Sequence, residues 1–327
     1  MNYDISLISV LRGIKLEGNF EQNFIDGLIT SNPECINQTL LDRNFIGYHG
    51  VGTVERICNS TNLVIHSTID FLTTIHGTDN IERISRNTYG FMELFVQCFW
   101  LVKDCCVYQS NLFTNIPTHK RTFVENSISV FSKANGEYED STFTKSELQK
   151  VMALTLKIRP LFTVAGKDTR PDPKINEYRY GSHKYIKAKE LGRVDRAWQF
   201  LFYARSTTSV SLKISFYVMA LESLFSGDGS EIAHKVSERV AIYLGDSAKQ
   251  EKETFALVKK IYGFRSKYVH GNPVEIENMD LVSTNADELL RKVMLKVFLE
   301  DYTTFNSSKK LEEYLTGLIF REEKVKK

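Results

Sequence analysis

From residue 193 onward, apolar residues recur three and four positions apart between polar stretches, the spacing of helices that each bury one stripe. Val194, Ala197, Trp198, Leu201 and Arg205 trace the first such face. Leu212, Phe216, Met219 and Ala220 begin a second helix, which stops at Gly227. Ile232, Val236, Val240 and Tyr243 predict a third, closed by Gly245. A fourth opens on a capping box of Ser247 and Gln250 and turns Phe255, Val258, Ile261 and Tyr262 inward. Ala286, Leu289, Leu290, Val293 and Val297 supply a fifth. Short connections favour antiparallel neighbours, so the pattern predicts an all-α up-and-down helical bundle of four to five helices over residues 193–320.

The first 160 residues read differently, as an α+β domain. Ile5 to Leu16 and Phe20 to Thr30 suit strands joined by Gly-Asn turns, and Asn32-Pro33 marks a break. Phe91 to Asp104 is apolar almost all round and predicts a core helix with Trp100 inside it. Ser127 to Phe131 suits a strand, Asn135-Gly136 a turn, and Ser146 with Glu147 a helix start. Gly47, Gly50 and Gly52 lack the strand-to-helix setting of a phosphate loop. The expected order is an α+β domain at 1–160, a basic linker at 161–192 and the bundle at 193–320.

Composition narrows the chemistry. With 327 residues, 42% of them hydrophobic, the chain can bury a substantial core. A net charge of +2 does not by itself announce nucleic-acid binding, so any electrostatic case is local. Between Arg159 and Arg205 basic residues outnumber acidic ones, and Tyr178, Tyr180 and Tyr185 are interleaved. Lys184, Lys187, Lys189 and Arg193 are the candidates there for RNA phosphates, although the same composition also suits a solvated linker. Five cysteines without a Cys-x-x-Cys pair predict reduced thiols. His49, His66 and His76 lack ligand spacing, so neither a metal nor another cofactor is expected. Met1 to Arg12 does not read as a signal peptide, and the apolar run from Phe91 to Val102 is too short to span a bilayer. The expectation is a cytoplasmic protein without membrane association.

The densest chemistry lies where the fourth helix stops. Arg265 follows Ile261 by four residues and Tyr262 by three, so it continues the inward stripe and needs an acidic partner, an anionic ligand or a wet cleft. Gly271 suits a left-handed helix end, and Pro273 cannot extend the helix, which puts His270 in the last turn. The unpaired carbonyls of a helix end favour a cation, and an imidazole is the side chain that both takes and gives protons around neutral pH.

Arg265-Ser-Lys-Tyr-Val-His270-Gly271 resembles the Arg-x4–6-His signature of the HEPN superfamily, most closely its ApeA-like branch. Met219 to Phe225 resembles that branch's second helix and Lys235 to Gly245 its third, so the resemblance covers about residues 193–305. It implies a four- or five-helix bundle acting as a metal-independent endoribonuclease, with RNA as substrate and a composite site at a homodimer interface. His270 would handle protons, Arg265 would hold the phosphate and Glu222 would orient Arg265, with Ser266 and Asn272 as auxiliary polar contacts. It further implies anti-phage defence by abortive infection, with a phage-derived trigger as a further partner and residues 1–160 as a sensor or regulatory domain; a toxin silenced by a separately encoded antitoxin is a third reading. Ser266 stands where many active members carry Asn, Asp or His. The alternative is a catalytically inactive module for dimerisation or nucleic-acid binding, with Arg265 held by a structural ion pair to Glu222 or another carboxylate.

Overall fold

The computed structural model describes residues 2–17, 20–24, 27–34, 36, 43–70, 78–116, 120–126, 129–162, 192–227, 231–273 and 278–320. They fall into two compact units: Met1–Phe131 with Tyr138–Tyr185, and Ser132–Glu137 with Ile186–Lys327. The candidates Lys184, Lys187 and Lys189 lie outside the described residues, as does most of the expected 161–192 linker.

The first unit is built on an antiparallel sheet. Its strands are β1 (Asn2–Arg12), β3 (Glu21–Phe24), β4 (Gly27–Thr30), β5 (Thr61–Asp70), β6 (Tyr108–Ile116) and β7 (Arg121–Asn126), in the order β3-β4-β5-β1-β6-β7. β2 (Ile14–Leu16) pairs in parallel with β8 (Ser141–Phe143). Side chains alternate along a strand, and Ile8, Val10, Val64 and Phe113 pack on Phe45, Ile57 and Cys58 from helices α1 (Arg43–His49) and α2 (Val51–Cys58). The alternate residues Leu7, Leu11, Leu63 and Leu112 are buried as well, so both faces are covered. Helix α3 (Thr78–Val102) contacts β1, β6 and helix α4 (Lys145–Phe162) and buries every residue from Phe91 to Leu101, Trp100 included.

Two sequence readings in this unit change. Residues 129–131 form no strand; the sheet ends on β7, upstream of the expected Ser127–Phe131 run. Helix α4 is capped by Thr144 instead of Ser146: the Glu147 N–H donates to Thr144 Oγ1 at 3.2 Å and the Thr144 N–H to Glu147 Oε2 at 3.0 Å, a reciprocal capping box. Cys58, Cys98, Cys105 and Cys106 are buried thiols.

Glu93 on α3 is 8% exposed, its Oε2 has no hydrogen-bond partner among the described residues, and burial pushes its carboxyl up to about 7. A carboxyl whose pKa is raised on folding binds more protons folded than unfolded, so stability falls as pH rises from about 4.5 to about 7. The size of the effect is about 3 kcal/mol. Glu93→Gln keeps the shape without the charge, and its urea-unfolding free energy should lose this dependence and exceed that of the native chain at pH 8. An unchanged pH profile would remove the argument.

The second unit is mostly helical: α5 (Arg193–Ser206), α6 (Val210–Phe225), α7 (Ile232–Leu244), α8 (Ala248–Val269), α9 (Met279–Lys296) continuing through a π-helical turn at Val297–Asp301, then α10 (Tyr302–Phe305) and α11 (Ser308–Ile319). Helix α6 contacts α5, α7, α8 and α9, which makes it the central helix. Leu212 is therefore no guide to its inward face: it is exposed, whereas Lys213, Ile214, Ser215, Tyr217 and Val218 are all buried. Lys213 meets its burial cost by donating from Nζ to the carbonyls of Ala204 (2.8 Å) and Ser132 (3.4 Å). Ile232, expected inside, is exposed in the first turn of α7. The faces read for α5 and α9 are buried throughout. Ser247 caps α8 by accepting the Gln250 N–H at 3.3 Å, but Gln250 Oε1 takes the Asp246 N–H at 2.9 Å, so the return bond of the box lands one residue early. Ser132–Glu137 belongs to this unit: the Ser132 N–H donates to Arg205 O at 2.9 Å and Ser283 Oγ to Ala134 O at 2.6 Å.

Among the described residues no helix is long and apolar enough to cross a membrane.

Candidate functional site

Local chemistry writes the end of α8. Gly271 takes a φ of 72°, its N–H donates to Tyr268 O at 3.2 Å, and the Asn272 N–H donates to Lys267 O at 2.9 Å. This is a Schellman closure, in which a left-handed glycine lets the chain satisfy its own last carbonyls. His270 is the C-cap, and its N–H donates to Ser266 O at 3.1 Å. The main chain thus closes the helix by itself and leaves the His270 imidazole exposed, without a hydrogen bond to a described residue. Ser266 and Asn272 are exposed beside it.

Arg265 is half-buried. Its Nε is sealed from solvent with no hydrogen-bond acceptor, and among the described residues no carboxylate lies within ion-pairing distance of it. Three residues earlier on the same stripe, the Tyr262 hydroxyl is also sealed. Burial raises its pKa above the ordinary phenol value, the negative charge of Glu222 adds to the rise, and the Arg265 guanidinium pulls part of it back. Glu222 acts on this hydroxyl through its charge and through a hydrogen-bonding contact looser than an ordinary bond, so Glu222, Tyr262 and Arg265 form one electrostatic cluster. The half-buried cation is therefore compensated only partly, the condition in which an arriving anion gains most.

Glu222 also lines a cleft of about 320 Å3 whose other wall carries Arg193 and Arg196 from α5. Arg193 is committed locally: its Nη1 donates to the carbonyls of Ser226 (2.7 Å) and Ser223 (3.4 Å) at the end of α6. Arg196 makes no hydrogen bond or ion pair from its side chain to a described residue, so it is the readier of the two for an anion.

Glu222 and Arg265 thus share one electrostatic cluster, whereas no contact joins His270 to either. Five residues of helix turn place Arg265 and His270 about 140° apart around α8, so the two side chains of one chain do not face each other. Sequence reasoning took Tyr262 for packing alone and did not single out Arg196. The signals were present, since each stands three residues from a residue already in view, Arg265 and Arg193. Among the described residues no three His, Cys, Asp or Glu side chains group closely enough to hold a metal ion.

Comparison with protein-family models, with curated proteins and with solved structures gives no match to this chain.

Proposed function

We propose that the helical unit is a HEPN-type domain and that the chain is a metal-independent endoribonuclease acting as a homodimer. The observation that carries this reading is Arg265: a half-buried guanidinium with no carboxylate partner among the described residues, on the helix that ends by exposing His270. The inactive-module alternative keeps the support of Ser266, which stands where many active members carry Asn, Asp or His, but the ion pair it posits for Arg265 is provided by no described residue.

In the proposed reaction a His270 imidazole takes the proton of an RNA 2′-hydroxyl, and the oxygen attacks the adjacent phosphorus. The bond from phosphorus to the 5′-oxygen breaks, and a protonated imidazole returns a proton to that leaving oxygen. Arg265 holds the phosphate through two parallel N–H···O bonds while negative charge builds on it. One chain has a single His270, and no contact joins it to its own Arg265, so a base and an acid beside one phosphate require a second copy related by a two-fold axis. Glu222 acts on Arg265 through the cluster it forms with Tyr262, and Ser266 and Asn272 border the exposed histidine. We place this activity in the cytoplasm, in anti-phage defence by abortive infection, with an antitoxin or a phage-derived trigger governing it.

Imidazole and guanidinium carry out every step of this scheme. Cleavage of RNA should therefore persist in EDTA and leave 2′,3′-cyclic phosphate ends, read by end-group analysis of the products. Loss of cleavage in chelator with recovery on adding magnesium or manganese would sink the scheme.

A further inference from the structure

We propose that the cleft formed by β1, β6, α1 and α2 in the first unit binds a small phosphorylated ligand of the mononucleotide class. The cleft holds about 240 Å3. Its floor is apolar, made by Val10, Ile57 and Phe113, all of them buried. Its rim is cationic: Arg12 at the end of β1 and Arg56 on α2 both border it, and among the described residues no Asp or Glu lines it.

Among the described residues no carboxylate neutralises either arginine. Arg12 Nη1 donates to Ser60 Oγ at 2.9 Å, while Arg56 donates from Nε to Gly52 O at 3.3 Å and from Nη2 to Thr53 Oγ1 at 3.1 Å. Every one of these acceptors is uncharged, and among the described residues neither guanidinium is within ion-pairing distance of a carboxylate. Two charges of one sign over an apolar floor leave an anion as the complementary guest.

The β1–β6 pairing is irregular beside this cleft. Val10 pairs with Asn111 but Leu11 pairs with Gln109, so Ser110 is an extra residue in β6, bonded to Asn111 Oδ1 at 3.0 Å. Bulges of this kind re-aim side chains beside binding sites, and here Asn111 borders the cleft as a polar contact. His49 supplies a flat wall. Its ring centroid lies 4.6 Å from that of Phe45 and 5.1 Å from that of Phe113, and its Nε2 is 2.8 Å from Thr122 Oγ1, which fixes the ring plane.

These features ask for a guest with one anionic end and one flat, weakly polar end. Phosphate alone would leave the floor wet, and a nucleoside alone would leave both arginines uncompensated. The volume lies just below the range of about 300–1,000 Å3 usual for drug-sized ligands, which suits one nucleotide. The proposal stands apart from the nuclease reading, since it concerns other residues and a binding readout.

The test is isothermal titration calorimetry on the full chain with the four ribonucleoside 5′-monophosphates, the parent nucleosides and inorganic phosphate, each to millimolar concentration. At least one monophosphate should bind, and its nucleoside and free phosphate should each bind at least about tenfold more weakly. Arg56→Ala removes an exposed side chain, so the fold should survive and affinity should drop about tenfold or more. In an Arg265→Lys background, where any phosphate binding at the proposed nuclease site is already weakened, Arg56→Ala should still lower affinity about tenfold or more, which separates this cleft from that site. The proposal is overturned if no monophosphate binds, if phosphate alone binds as tightly, if Arg56→Ala and Arg12→Gln both keep full affinity, or if Arg56→Ala has no effect in the Arg265→Lys background.

Discussion

His270→Ala and Arg265→Lys should each abolish measurable RNA cleavage while leaving a folded homodimer. A positioned acid or base contributes about 10²–10⁴-fold to such a reaction, and in a two-fold site His270→Ala removes both at once. Its cost to the fold is small, because the imidazole is exposed and the Schellman bonds that close α8 are made by backbone alone. Arg265→Lys keeps a positive charge facing Glu222 and Tyr262, so the cluster stays compensated, but it loses the planar fork that grips two phosphate oxygens. Arg265→Ala is the poorer probe, since it leaves Glu222 and the sealed Tyr262 hydroxyl without their cation. Cleavage of a labelled RNA, with mass by light scattering and far-UV circular dichroism on the same samples, decides the matter. Native-like cleavage by both variants would return the motif to a structural role, and a strictly monomeric native chain at micromolar concentration would remove the composite site.

The helix end that carries His270 was legible because its causes are local: Gly271 allows the left-handed turn and Pro273 forbids another one. The faces of α5 and α9 were legible because each helix buries one side only. Helix α6 was not, because a helix with neighbours on several sides has no single stripe, and its buried positions include Lys213 and Ser215. Strands β6 and β7 escaped notice for a related reason. β6 buries Gln109, Thr114 and Asn115 beside Leu112 and Phe113, which blurs the alternation of apolar and polar residues that marks a strand. The grouping of Ser132–Glu137 with the helical unit rests on bonds to Arg205 and Ser283, partners 73 and 149 residues away, and no local pattern encodes them. At the candidate site, sequence spacing put Arg265 on the inward stripe and left its partner open between a carboxylate and a ligand. That choice depends on where Glu222 stands relative to Arg265, a tertiary fact.

Asp287→Ala should destabilise the helical unit by about 3–5 kcal/mol, a large share of the roughly 5–15 kcal/mol that holds a typical domain. Asp287 on α9 is 1% exposed, accepts the Tyr217 hydroxyl of α6 at 3.0 Å and pairs with Arg291 one turn along its own helix. Removing the carboxylate takes the acceptor from a buried hydroxyl and the counter-charge from a largely buried guanidinium, both against the central helix. Two controls divide the loss. Asp287→Asn retains an oxygen for Tyr217 and loses the charge facing Arg291, and should cost less than the alanine variant. Tyr217→Phe removes the donor, leaves the ion pair in place, and should cost about 1 kcal/mol. The chain has two tryptophans, Trp100 in the first unit and Trp198 in the second, so in a Trp100→Phe background fluorescence during urea unfolding follows the helical unit. A loss below about 1 kcal/mol for Asp287→Ala would mean that Tyr217 and Arg291 find other partners when it is gone, and that this contact does not bind α9 to α6.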